Sequence, residues 1–105
     1  MKKNLREVAR VIRSKNSGPF ELTMDIIFND PETYGKIRKS KELSPEKVAE
    51  LYHITTDKIL AFVWYEAAIA LKITIVRPID SGSIGERDTY GAQQHAPLLL
   101  LSFDI

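Results

Sequence analysis

The chain has no cysteine among its 105 residues. Disulfides, thiolate metal sites, iron–sulfur clusters and cysteine nucleophiles are therefore excluded. A thiol-free chain suits a reducing compartment, so a cytoplasmic location is the expectation. Histidine is scarce too. His53 and His95 stand far apart, so no short-spaced pair of histidines marks a metal site and no metal is expected. Neither sign of charge is in excess: 15 Lys and Arg against 14 Asp and Glu leave +1. That balance lacks the basic footprint of a nucleic-acid binder. Long apolar runs are also missing. The longest, Ile59–Leu71, is interrupted by Glu66 and is shorter than the ~20 residues of a membrane helix. Met1–Arg13 holds no uninterrupted apolar block of the secretory kind. No membrane or nucleic-acid partner is expected, and no sequence motif requires a cofactor.

What remains is ordinary globular material. With 44% hydrophobic residues, 105 positions have room for one domain, 1–105, and a core of its own. Phe20–Phe28 is the clearest strand. Phe20, Leu22, Met24, Ile26 and Phe28 alternate with Glu21, Thr23, Asp25 and Ile27, one face core and the other mostly polar. Asp30-Pro31 and Ser44-Pro45 are two helix starts, each a capping side chain followed by a proline suited to the first turn. Two short helices then connect that strand to the next. Ile59–Tyr65 is apolar on both faces, which suits a central strand. Ile69–Arg77 alternates again, with Glu66-Ala67-Ala68 as turn or bulge. A helix through Ala61–Leu71 is the rival, but the β-branched and aromatic residues favour a hairpin. Phe62, Trp64 and Tyr65 read as core or interface residues. Leu5, Val8, Ala9 and Ile12 fit helical spacing, whereas Ala9, Val11 and Arg13 fit a strand. Leu98–Ile105 reads as a closing strand. Together these elements predict an α+β two-layer sandwich, a mainly antiparallel sheet with short helices on one face, ferredoxin-like in arrangement.

Two polar, glycine-bearing loops hold the candidate site residues. The first, 13–21, offers Arg13, Ser14, Lys15, Asn16 and Gly18. Its cations and successive amides can form a concave anion site, and a solvated hairpin turn accounts for the same residue types. It is no Walker loop, because no Gly-Lys-Ser/Thr follows. The second, 77–95, includes Arg87, Asp88, Tyr90, Gln93, Gln94 and His95. Loops of such length without structure of their own tend to be functional. Gly82 and Gly85 lack the strand–helix context of a dinucleotide site, and Arg87 pairing with Asp80 or Asp88 is the purely structural reading. His95 has the intrinsic pKa of an acid/base catalyst, although a lone histidine is more often structural. No Gly-x-Ser-x-Gly elbow supports a serine triad.

Three strings carry a resemblance: Val11-Ile12-Arg13-Ser14-Lys15-Asn16-Ser17-Gly18-Pro19-Phe20, Ile73-Thr74-Ile75-Val76-Arg77-Pro78, and Asp88-Thr89-Tyr90-Gly91-Ala92-Gln93-Gln94-His95-Ala96-Pro97-Leu98. On these the chain resembles a small uncharacterised family, a domain of unknown function associated with the larger acyclic terpene utilisation proteins. It is also similar to the C-terminal ferredoxin-like domain of those proteins, where the first strand runs into Arg-Ser-Gly-Asp-Lys-Gly. Arg13, Ser14 and Gly18 match that string, while Lys15-Asn16-Ser17 replaces its interior. The resemblance implies a strand over Leu5–Arg13 paired with Phe20–Phe28. It also implies a larger protein partner.

The leading expectation is an accessory small subunit of a metabolic enzyme complex acting on an anionic acyl or hydroxy-acid metabolite. Both loops would contribute to its ligand site. Two alternatives stand beside it. One is a small lyase, hydratase or isomerase with His95 as acid/base. The other is a structural homo-oligomer that uses an exposed sheet face or edge.

Overall fold

Local signals decide where each element starts. The computed structural model describes residues 2–18, 20–76 and 96–104. Its elements, in chain order, are β1 (Lys2–Asn4), α1 (Leu5–Val8), β2 (Ala9–Gly18), β3 (Glu21–Phe28), α2 (Pro31–Ser40), α3 (Pro45–Tyr52), β4 (Ile59–Tyr65), β5 (Ala70–Val76) and β6 (Ser102–Asp104). Single 3-10 turns occupy Thr56–Lys58 and Ala96–Leu100. The Asp30 carboxylate accepts from the Thr33 amide at 2.7 Å, and the Ser44 hydroxyl accepts from the Lys47 amide at 3.2 Å. Both caps and both prolines therefore act as their sequence positions predict.

The four long strands form one antiparallel sheet in the order β2-β3-β5-β4, and β1 pairs with β6 in a separate two-stranded ribbon. Cross-strand pairs such as Met24 with Ile73 and Leu22 with Ile75 put the buried residues of β3 and β5 on one face. Against that face pack Leu5 and Val8 of α1, Tyr34 and Ile37 of α2, Val48 and Tyr52 of α3, and Leu98, Leu101 and Phe103 near the C-terminus. This is the expected α+β two-layer sandwich, ferredoxin-like in its layering of short helices on one face of an antiparallel sheet.

Four local expectations change. Leu5–Val8 is a helical turn rather than strand, because Asn4 and Glu7 form a reciprocal capping box. The strand begins at Ala9 and runs to Gly18, so most of the expected first loop is β-structure paired with β3. Phe20, expected in the core, lies at the hairpin end and is 59% exposed. The C-terminal segment closes the core through a 3-10 turn and a short strand paired to β1, outside the main sheet.

The largest topological change concerns β4. Its apolar run suggested the sheet centre, yet among the described residues β4 is an edge strand and the alternating β3 and β5 are central. The alternation arises because the described elements cover only one sheet face and leave the other open, and that condition holds for central and edge strands alike. The hairpin between β4 and β5 forms as expected. Its turn puts Ile69 at φ 46°, a costly conformation for a β-branched residue. There the Ile69 carbonyl accepts from the Phe28 amide at 2.9 Å while its side chain packs against the core.

Candidate functional site

Strand geometry divides the first group of candidate residues. Side chains alternate across a strand, so the five residues taken from 13–18 do not point one way. Arg13 pairs across from Asp25 and Lys15 from Thr23, on the sheet face away from the helices. Ser14 pairs across from Met24 and Asn16 from Leu22, on the helix side; Ser14 is buried and Asn16 half-buried. Gly18 pairs with Glu21 at the hairpin end, with open space where a Cβ would stand. His95, Arg87, Asp88, Tyr90, Gln93 and Gln94 lie outside the described residues.

One relation between the two loops is visible. Val76, the last described residue before 77–95, pairs with Glu21, the last residue of 13–21. The chain therefore enters the second loop at the sheet end where the first hairpin turns.

The open sheet face is half polar and half aliphatic. Asp25 sits between Arg13 on β2 and Lys72 on β5 in the pairing register. Arg13 Nε donates to Asp25 Oδ2 at 3.3 Å, and the Arg13 side chain keeps 67% of its surface exposed. The contact thus orients a guanidinium that still faces solvent. Next to it the Thr23 and Thr74 hydroxyls are 3.1 Å apart and hydrogen-bonded. Ile27, Val63 and Tyr65 add apolar surface, with Val63 and Tyr65 exposed. Sequence reasoning marked the polar side of β3 but missed Lys72, because only the strand order brings Lys72 beside Asp25.

On the helix side, Tyr34, Trp64, Phe28 and Phe62 form a connected aromatic cluster. The Arg38 guanidinium lies 6.0 Å from the Trp64 ring centroid and donates to the Tyr34 hydroxyl at 3.3 Å. A groove of about 480 Å³ opens beside them, lined by Tyr34, Gly35, Arg38, Lys39, Glu66 and Ile69. The i,i+4 spacing of Tyr34 and Arg38 was the only sequence signal for it. Among the described residues no cluster of three or more acidic or histidine side chains converges as a metal site would. Nor is any helix there long and apolar enough to cross a membrane.

One buried hydroxyl gives a pH-dependent prediction. Tyr52 is 6% exposed, and its hydroxyl donates to Met24 Sδ at 2.9 Å. Burial pushes this phenol well above the ordinary tyrosine value. The folded pKa is raised, so its contribution is complete below the unfolded pKa and is lost as pH rises beyond it. Unfolded tyrosine releases its proton near pH ~10, while the folded chain still holds it. Stability should then fall by up to about 1.4 kcal/mol per pH unit from this group. Urea melts of the wild type and Tyr52→Phe between neutral pH and pH ~11 should show the wild-type advantage shrinking with pH. A constant difference would remove Tyr52 as the cause.

Fold and site together define a two-layer α+β domain in which the sheet face left open by the described elements bears an oriented guanidinium and two exposed lysines among aliphatic side chains. The chain belongs to the family described as domain of unknown function (DUF4387), whose model matches residues 5–102, from α1 into β6. No curated protein and no solved structure matches it.

Proposed function

We propose that the chain is an accessory domain of a metabolic enzyme complex. It docks through the open sheet face onto a larger protein of the acyclic terpene utilisation type and supplies cations to the site of an anionic acyl or hydroxy-acid metabolite. The observation that carries this reading is the Arg13–Asp25 pair, which fixes a guanidinium on a sheet face that no other described element covers and leaves 67% of its side-chain surface exposed to a second anion. Arginine in this setting suits bidentate recognition of a carboxylate. Lys15 and Lys72, both exposed on the same face, extend the positive surface. The aliphatic residues around them suit a protein surface rather than water alone.

The test is affinity capture from a native extract with the tagged chain. The wild type should retain a larger protein, and Arg13→Glu with Lys15→Glu should reduce the retained amount at least roughly tenfold, as for charges at an interface. Thermal stability of the variant should fall only modestly, by about 1 kcal/mol, because Arg13→Glu sets a second carboxylate opposite Asp25 while Lys15 is exposed. A wild-type chain recovered alone from that extract would overturn the reading.

A further inference from the structure

The two edges of the four-stranded sheet are built differently. β2 carries Arg10, Arg13 and Lys15 and two register irregularities, devices that keep an exposed edge from pairing. β4 reads Ile59-Leu60-Ala61-Phe62-Val63-Trp64-Tyr65, with neither a charge nor a proline. Among the described residues it pairs only with β5. Leu60 is 49% exposed, Val63 40% and Tyr65 47%, so the strand presents apolar side chains along an unguarded edge. Its single irregularity lies at Ile59/Ala61, and 61–65 is regular. An edge of this kind is a template for another strand.

The flanking charges select which strand. Lys58 precedes β4 and Glu66 follows it, both are exposed, and they stand at equal sequence distances from Phe62. We propose that β4 pairs antiparallel with β4 of a second copy, about a twofold axis at Phe62, to make one continuous eight-stranded sheet. Lys58 ends the 3-10 turn before β4 and Glu66 begins the turn after it. In that register the Lys58 end of each copy lies beside the Glu66 end of the other, so an opposite-charge pair flanks the paired strands at each end of the interface. Within the regular stretch 61–65, Ala61 meets Val63 on either side of Phe62, which brings the exposed Val63 of each copy against the other. Parallel pairing would set Lys58 on Lys58 and Glu66 on Glu66. Antiparallel pairing displaced by two residues would leave each charge against an apolar side chain or past the strand end. An isologous contact also closes at two copies, so the edge is used up rather than propagated. The edge shares Val63 and Tyr65 with the open sheet face, but the charges tested here, Lys58 and Glu66, are separate from Arg13 and Lys15, so either reading can fail without the other.

A single strand pair is a small interface, and association in the micromolar range is expected. Sedimentation velocity over a micromolar concentration series should show a monomer–dimer equilibrium for the wild type. Lys58→Glu alone, and Glu66→Lys alone, each replace two attractive pairs by two repulsive ones and should raise the dissociation constant roughly tenfold or more. Lys58→Glu combined with Glu66→Lys restores both pairs and should return it to within about threefold of the wild type. Circular dichroism melts should be unchanged, because both positions are exposed. Register is read separately. The chain has no cysteine, so Ala61→Cys with Val63→Cys should give a disulfide-linked dimer on a non-reducing gel. A wild-type monomer at every concentration overturns the proposal. So does a dimer indifferent to the single charge changes, or one that the double exchange fails to restore.

Discussion

Phe28→Ala should lower unfolding stability by about 3–5 kcal/mol, with a melting temperature lower by roughly 15–30 °C. The expected size comes from how many elements meet at this ring. Phe28 is fully buried at the end of β3. It stacks on Trp64 at 6.2 Å between centroids and meets Tyr34 edge-on at 5.9 Å, joining β4 and α2 to the central strand. Aromatic pairs of this geometry add to the plain burial of the ring. Truncation leaves a cavity that the sheet cannot close, because the Phe28 backbone N–H is pinned by its hydrogen bond to the Ile69 carbonyl. Phe28→Leu keeps most of the volume and should cost much less. Denaturant melts of both variants decide it. A loss below about 1 kcal/mol for the alanine variant would mean that the cluster repacks freely, contrary to the pinned arrangement.

Phe103→Ala should cost about 3 kcal/mol or more, although the residue lies in a three-residue strand. Phe103 is fully buried, pairs with Lys3 of β1 and shares the core with Leu5, Leu98 and Leu101. The ribbon of β1 and β6 is thereby tied to the same core as the main sheet. Leu100 provides the internal control. It is 76% exposed in the neighbouring turn, and Leu100→Ala should stay within about 0.5 kcal/mol of the wild type. Thermal melts of the two variants should therefore separate widely. Amide exchange should also rise in α1 for Phe103→Ala, since Leu5 and Val8 lose part of their packing. Equal melts for both variants would show that the C-terminal segment is not part of the cooperative unit.

The docking reading and the β4 pairing assign different tasks to different parts of one sheet. The open face bears charges that alternate with aliphatic residues. The β4 edge offers backbone groups and side chains without charge. A dimer joined at β4 would leave both open faces uncovered, so two copies could each engage a larger partner. That arrangement gives the accessory role a geometry in which pairing and docking do not compete.

The sequence by itself determined the local elements wherever their causes are local. The cap-and-proline starts at Asp30 and Ser44 form helices because a side-chain oxygen meets an amide three residues on. The period of two forms strands over 21–28 and 70–76 because alternate side chains face opposite ways. The absence of cysteine likewise bounds the chemistry without any structure. Only the tertiary structure decided what depends on partners distant in sequence. Arg13 and Lys15 were legible as exposed cations, but their separation from Ser14 and Asn16 follows from pairing with β3. The position of β4 at the edge could not be read from its apolar run, because burial by helices on one face and pairing on one side produce the same composition as a sheet centre. Lys72 joined the candidate surface for a related reason: β5, not β4, lies next to β3. Strand order rests on long-range packing, and a residue's type records the environment it tolerates rather than the neighbour that supplies it.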